Sequence, residues 1–395
     1  MSGSGTTRRA GLIGRLALLG FGIASALLIG ELAVRLVVPM PPAFSWLRHD
    51  GLVLHTPGMQ ATYFRQEFRT HVRINSLGLR GSEVPPKKAP GTLRVLVLGD
   101  SYAEGLQVAG DEVLSSRLQA AFDADEGPRV EVVNAGVSGY GTADELVLLE
   151  KLGWALEPDL VLLAFCVHND VKDNLARPLY DFSSDPPRRA EAPPPRGLAL
   201  GVLRTKELLS RRSQLYQLLR DRTDDLQPGG LAVRLGLKRQ KGNVAAAADA
   251  GSRPLDHMAW FEMETPPELA KGVDYTRRLL GRMADECKER GVPMLVALIP
   301  LRDQVSDPRW EALRAKRSLA PHSRARPQET LVGMATDMGI EVVDLLPVLL
   351  RSPNRESLYF DIDGHWTAAG HQVAADALKP ALDSWRGAAA TRKAS

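Results

Sequence analysis

Five short apolar runs punctuate the chain, at 94–98, 130–133, 160–165, 292–299 and 340–343. Each is mostly apolar and too short for a helix, which predicts buried strands. Between them apolar residues recur at helical spacing. Leu114, Leu118, Ala121 and Phe122 predict a helix over 111–123, with Asp111 as its cap. Further helices are predicted over 142–152, over 268–290 with Val273, Leu280, Met283 and Cys287 on one side, and within 325–338. A last helix is predicted after Thr367, which caps it, carrying Val373, Ala377 and Leu378. Strands alternating with helices make an α/β core on a parallel sheet.

The rhythm fails in three places. Residues 16–30 carry no charge and follow Arg8, Arg9 and Arg15. That run spans only ~22 Å at ~1.5 Å per residue, short of a ~30 Å hydrocarbon core. The apolar character resumes to Val38, interrupted by Glu31 and Arg35, which are four apart and can pair. Residues 10–38 therefore read as one membrane helix, and the preceding arginines place the N-terminus in the cytoplasm. The expected location is a single pass of the cytoplasmic membrane, with the remainder on the outer (periplasmic or extracellular) face. The rival is a cleaved signal peptide, because Ala24-Ser25-Ala26 has the form of a cleavage site. Residues 1–39 are thus a cytoplasmic tip and transmembrane anchor, and 40–92 a juxtamembrane segment. Pro39, Pro41 and Pro42 stop the helix, 62–74 reads as a short strand or hairpin, and 75–78 as a turn.

The second failure, at about 175–265, is an insertion into a core domain spanning 93–386. It holds a proline-rich stretch (186–195), an amphipathic helix (206–222) and a Gly/Ala-rich loop (227–254). A lid over the site and a partner surface are both open readings. The third is the tail, 387–395, which is expected to be disordered.

Composition removes several function classes. A net charge of +3 on 395 residues, without a basic patch interleaved with aromatics, gives no nucleic-acid footprint. The two cysteines, Cys166 and Cys287, form no CxxC or Cys/His cluster and read as buried free thiols rather than a zinc site. The loop 136–141 lacks a nucleotide-binding glycine pattern, so no cofactor and no metal is expected.

The chemistry starts at Gly99-Asp100-Ser101, on the turn that leaves the first core strand. Ligands bind at that carboxyl edge of open α/β sheets. Alone, the tripeptide reads equally as a cap or an Asx turn. Three more stretches follow in order: Gly139 within Asn134–Gly139, Asn169 within His168-Asn169-Asp170, and Asp363-Gly364-His365. Together they resemble the four sequence blocks of the SGNH, or GDSL, hydrolase superfamily, in a membrane-anchored bacterial form. The resemblance spans about 93–380 and leaves 1–92 and 175–265 unexplained. It implies a three-layer α/β/α sandwich on a five-stranded parallel sheet, of flavodoxin-like kind. It also implies Ser101 as nucleophile, His365 as base and Asp363 as the acid that orients it. The oxyanion would sit against the amides of Ser101 and Gly139 and the side chain of Asn169. Two positions depart from the family pattern. The usual acid position, three before the histidine, is Ile362, which leaves Asp363 with Asp361 as the alternative. Val167 stands where the asparagine block usually has glycine.

The neighbouring polar residues have plainer readings. His168 reads as a residue behind the site or against substrate, and His371 as a histidine on a helix face. Asp100 and Asp170 read as loop holders and Trp366 as packing, while Arg302 and Asp303 are either substrate contacts or a loop ion pair. The expected function is a serine esterase removing acetyl or other short acyl groups from a glycan or small-molecule ester. An O-acyltransferase modifying an exopolysaccharide with the same residues is the alternative. A catalytically weak glycan-binding protein on the same fold is the third reading.

Overall fold

The computed structural model describes residues 4–37, 46–49, 52–167, 169–176, 179–190, 197–216, 218–219, 257–262, 264–316 and 323–394. In chain order, helix α1 (Ser4–Val37) is followed by two antiparallel pairs, β1 (Trp46–His49) with β2 (Leu52–His55) and β3 (Gln60–Phe64) with β4 (Arg69–Arg73). The core then begins with β5 (Leu93–Gly99), α2 (Ser101–Glu104), α3 (Leu114–Ala124), β6 (Val130–Gly136), α4 (Thr142–Leu148), β7 (Leu160–Cys166) and α5 (Asp170–Ala176). A two-residue ladder of β8 (Tyr180–Asp181) and β9 (Arg188–Arg189) and helix α6 (Gly197–Arg212) come next. The chain continues through α7 (Pro267–Glu289), β10 (Met294–Ile299), α8 (Arg302–Val305), α9 (Asp307–Lys316), α10 (Arg326–Asp337), β11 (Glu341–Asp344) and α11 (Leu346–Arg351). It ends in α12 (Ala368–Ala394).

All five apolar runs of the sequence become strands of one parallel sheet, ordered β6-β5-β7-β10-β11. Alternate side chains of β5 point to opposite faces, as strand geometry requires. Val95 and Val97 pack with Leu118, Leu349 and Leu378 from α3, α11 and α12. Leu96 and Leu98 pack with Leu146, Met283 and Leu331 from α4, α7 and α10. The result is the expected three-layer sandwich. Counted along the chain, the strand order is 2-1-3-4-5, the flavodoxin-like arrangement, with its reversal between β5 and β7. At the opposite edge Arg94 is buried, paired with Glu131 at 2.7 Å and donating to the Pro85 carbonyl at 2.9 Å. This fixes the linker that leads into the sheet.

Three local expectations are corrected. Asp111 does not cap α3, because 110–112 form a separate turn and the helix starts at Leu114. The Leu114 amide instead donates to His371 Nδ1 at 3.2 Å. His371 is thus a helix-face histidine, as expected, buried and accepting this bond. The helix expected over 206–222 begins earlier, at Gly197, and breaks at Ser213 before 214–216 and 218–219 continue as helix. The tail does not end its order at Arg386: α12 runs to Ala394, since Trp385 and Ala389 are buried and extend the apolar face. The loop 227–254 lies outside the described residues.

Residues 1–45 and 194–240 form one compact unit, and 46–193 with 241–395 another. In the first, residues Ala17–Val37 of α1 are long and apolar enough to cross a membrane, a property that a signal sequence shares. Arg35 pairs with Glu31 at 2.8 Å, as their spacing predicts. The same two side chains join α1 to the insertion. Glu31 accepts from the amides of Gln214 (2.9 Å) and Leu215 (3.0 Å), and Arg35 donates to the Arg212 carbonyl (2.8 Å).

One close approach sets the distance from the sheet to the turn that follows β5. A Cβ on Gly136 would stand 2.4 Å from the Glu104 amide nitrogen and 2.6 Å from the Ala103 Cβ. Gly136→Ala should destabilise the fold by about 1–3 kcal/mol, through overpacking. Denaturant melts should show it, and an unchanged midpoint would contradict the packing described.

Candidate active site

The turn after β5 is short and crowded. Asp100 caps α2 by accepting the Tyr102 amide at 2.8 Å, which places Ser101 as the first residue of that helix. Asp170 does the equivalent work after β7, accepting the Cys166 amide at 2.8 Å. Both aspartates are loop holders, as the sequence predicts. Asn169 lies just before α5, its amide nitrogen 3.2 Å from Asp173 Oδ2. Its side chain also hydrogen-bonds to the Asp100 carboxyl.

The third component arrives 264 residues after Ser101. The loop 360–365 closes on itself, with Phe360 N donating to His365 O at 2.8 Å and Gly364 N to Phe360 O at 3.1 Å. Gly364 makes this possible with φ +83°, a left-handed conformation that favours glycine. His365 Nε2 sits 2.7 Å from Ser101 Oγ, and His365 Nδ1 sits 2.6 Å from Asp363 Oδ1. Asp361, the alternative acid, faces elsewhere: it is 82% exposed and pairs with Arg309 at 3.4 Å. Partial burial works against the Asp363 charge. The His365 hydrogen bond and the nearby Arg65 outweigh it and hold the carboxyl below its usual range.

Ser101, Asn169, Asp363 and His365 line one cavity of about 410 Å³ with Asp100, Tyr102, Leu301, Arg302, Asp303, Ile362 and Gly364. Gly139 is not among the lining residues; it stands on the loop after β6 with φ +79°. Val167 is fully buried, its amide bonded to the Ile299 carbonyl at 3.2 Å. Arg302 belongs to the cavity wall rather than to a loop ion pair, and donates to the carbonyls of Phe360 (2.9 Å) and Asp361. Trp366 is buried edge-on against Tyr102 at 5.2 Å, consistent with packing. His168 lies outside the described residues. Among the described residues no cluster of acidic, histidine or cysteine side chains could hold a metal ion. Neither cysteine is in a disulfide, and both are buried.

Several residues near the site escape sequence reasoning. Tyr102 lies beneath His365, ring centroids 4.9 Å apart, and its hydroxyl donates to the Gly364 carbonyl at 2.9 Å. Glu104 is fully buried and bonded to His55, to the Ser138 hydroxyl and, at 2.8 Å, to the Ser138 amide. Burial opposes its charge, but His55 and Ser138 prevail and keep its carboxyl below the usual range. Glu67 accepts the amides of Ile362 (2.9 Å) and Asp363 (2.7 Å). No motif marks any of these; each contact spans tens to hundreds of residues.

A second set of carboxyls lies under the site. Asp100, Glu145 and Asp170 are all buried, and both oxygens of Glu145 are without a hydrogen-bond partner. Desolvation raises the Asp100 carboxyl to about 6 and pushes those of Glu145 and Asp170 well up. Such groups hold their proton when folded and release it when unfolded. Stability therefore falls as pH rises from the unfolded value, about 4, through the folded one. Glu145→Gln removes one of these protons from the balance. It should flatten the fall of stability with pH, so that the variant gains on the wild type between pH 5 and pH 8. Melts of both proteins at the two pH values test this; an equal difference at both would contradict it.

Among solved structures the chain is similar to TesA, at 15% identity over 74% of this chain and 99% of that one, TM-score 0.39. It is similar to the lipase/acylhydrolase from Enterococcus faecalis, at 13% identity over 75% and 96%, TM-score 0.39. It is also similar to the acetyl xylan esterase AlAXEase, at 11% identity over 73% and 100%, TM-score 0.36. No curated protein sequence matches the chain. The family model described as "GDSL-like Lipase/Acylhydrolase family" matches residues 97–373, well over half of the sequence and all four motif stretches. This chain belongs to the GDSL-like lipase/acylhydrolase family.

Proposed function

We propose that this hydrolase is a serine esterase that removes acetyl or other short acyl groups from a glycan or related ester, through an acyl-enzyme on Ser101. The observation that carries the reading is the relay of two short contacts, Ser101 Oγ to His365 Nε2 at 2.7 Å and His365 Nδ1 to Asp363 at 2.6 Å. A serine hydroxyl needs a neighbouring base to attack a carbonyl at neutral pH. His365 takes the Ser101 proton as Oγ bonds to the ester carbonyl carbon. Asp363 accepts the Nδ1–H hydrogen bond and stabilises the imidazolium. The oxyanion is held by the amides of Ser101 and Gly139 and the side chain of Asn169, donors worth about 3–4 kcal/mol each in acyl transfer. Collapse breaks the C–O bond and His365 protonates the leaving alcohol. Water then repeats the sequence on the acyl-enzyme, releasing the acid and restoring Ser101.

The short acyl chain is supported by the cavity, which at about 410 Å³ must also admit part of the alcohol. Arg302 and Asp303 in its lining suit a polar alcohol such as a sugar. The apolar stretch of α1 supports anchoring in the cytoplasmic membrane, with residues 40–92 joining it to a catalytic domain over 93–386 on the outer face.

The test uses the full chain in detergent with p-nitrophenyl acetate and an acetylated sugar oligomer. Ser101→Ala should lose at least about 10³-fold in kcat and all labelling by a fluorophosphonate. A Ser101→Ala protein with full activity would refute the assignment. Acyl-enzyme that turns over only on adding a sugar acceptor would replace hydrolysis by transfer. Reporter fusions after residue 45 should report an outer location; a cytoplasmic signal would refute the topology.

A further inference from the structure

We infer that Glu67, from the hairpin that precedes the family domain, is a positioning residue for the Asp363–His365 pair. The inference deepens the proposed serine-esterase reading and rests on it. Residue 67 lies thirty positions before the start of the family match at residue 97. Its carboxylate nevertheless reaches the loop that carries the proposed acid. One oxygen, Oε2, accepts both the Ile362 amide at 2.9 Å and the Asp363 amide at 2.7 Å. Two successive N–H groups converging on one oxygen fix the backbone orientation at Asp363, and hence the direction of its side chain. The ring of Phe68 packs against Phe360 with centroids 5.3 Å apart, so the hairpin meets the loop at both its start and its acid.

A tether aligns a loop only if its own base is fixed. The segment 55–80 is bolted to the nucleophile turn at three points. Buried Arg80 donates to the carbonyls of Glu104 (3.0 Å), Gly105 and Val108 (2.7 Å). His55 bonds to buried Glu104, the last residue of the short helix that begins with Ser101. Thr70, on β4 just past the hairpin tip, donates to the Leu106 carbonyl at 2.6 Å. The hairpin is thus a strut. One end holds the turn that carries Ser101 and the other holds the loop that carries Asp363 and His365. On its far side that loop is held by Arg302 and Arg309, which bond to the carbonyls of Phe360 and Asp361. Carbonyls are gripped from one side and amides from the other, and Glu67 is the acceptor on the amide side. Its negative charge next to Asp363 is offset by Arg65 at the same hairpin tip, whose charge lowers the Asp363 carboxyl.

The strut predicts a pattern across three substitutions. Glu67→Ala removes the acceptor. Glu67→Asp keeps the charge but shortens the reach by one methylene. Glu67→Gln keeps the reach and an acceptor oxygen without the charge. Full-length proteins are compared for kcat, KM, melting temperature and the rate of Ser101 labelling by a fluorophosphonate. Glu67→Ala and Glu67→Asp should lose about tenfold in kcat and in labelling rate, with KM and melting temperature near wild type. Glu67→Gln should stay within about threefold of wild type. Wild-type kcat in all three variants would overturn the inference while leaving the esterase reading intact. So would loss in Glu67→Gln with retention in Glu67→Asp, which would make charge rather than reach the operative property. If Glu67→Ala fails to fold, the Asp and Gln variants decide by the same criteria. A wild-type protein that neither labels nor turns over would overturn the esterase reading and this inference together.

Discussion

The reversal of strand order at β5 governs the rest of this molecule. The chain crosses to β6 on one side of β5 and to β7 on the other, so the loops after β5 and β7 part and leave a crevice between them. Ser101 follows the first of these strands and Asn169 follows the third, which places both at the crevice without any special device. The glycine at 136 lets the α2 turn lie directly against the next strand. What remains is to bring His365 to Ser101 from far along the chain. Trp366 and Tyr359 do this by burial, flanking the loop on both sides and seating it over Tyr102.

The sheet could be read from the sequence because its strands are buried on both faces. Two-sided burial favours apolar runs, and 95–98, 160–165 and 292–299 supply them. The placement of the motif stretches was legible for a related reason. Each motif stretch follows an apolar run or stands next to a helix start, so position along the chain translates into position at one sheet edge. The choice between Asp361 and Asp363 was not legible in this way. It depends on the direction in which the six-residue loop 360–365 presents its side chains, which its closure between Phe360 and His365 sets.

Elsewhere the sequence was silent because the partners are distant and chemically ordinary. Asp111 has the right residue type and place to cap a helix, yet the acceptor for Leu114 is a buried histidine 257 positions away. Glu31 and Arg35 look like a local pair, and they are one, but they also bond to the backbone of 212–215. Glu104 carries no motif, and only the fold reveals that it joins His55 to Ser138. Local patterns predict local satisfaction of polar groups. A folded chain satisfies them with whatever tertiary packing brings near.

The closed loop 360–365 separates two quantities that any such site must set. The polarisation of the imidazole depends on its bond to a carboxylate two residues away, within one rigid turn. The distance from the imidazole to the serine depends on how that turn is seated, through residues outside it. A change in the seat can therefore alter the reach of the imidazole while the Asp363–His365 contact stays intact. The pair behaves as a cartridge, and the surrounding chain as its mount.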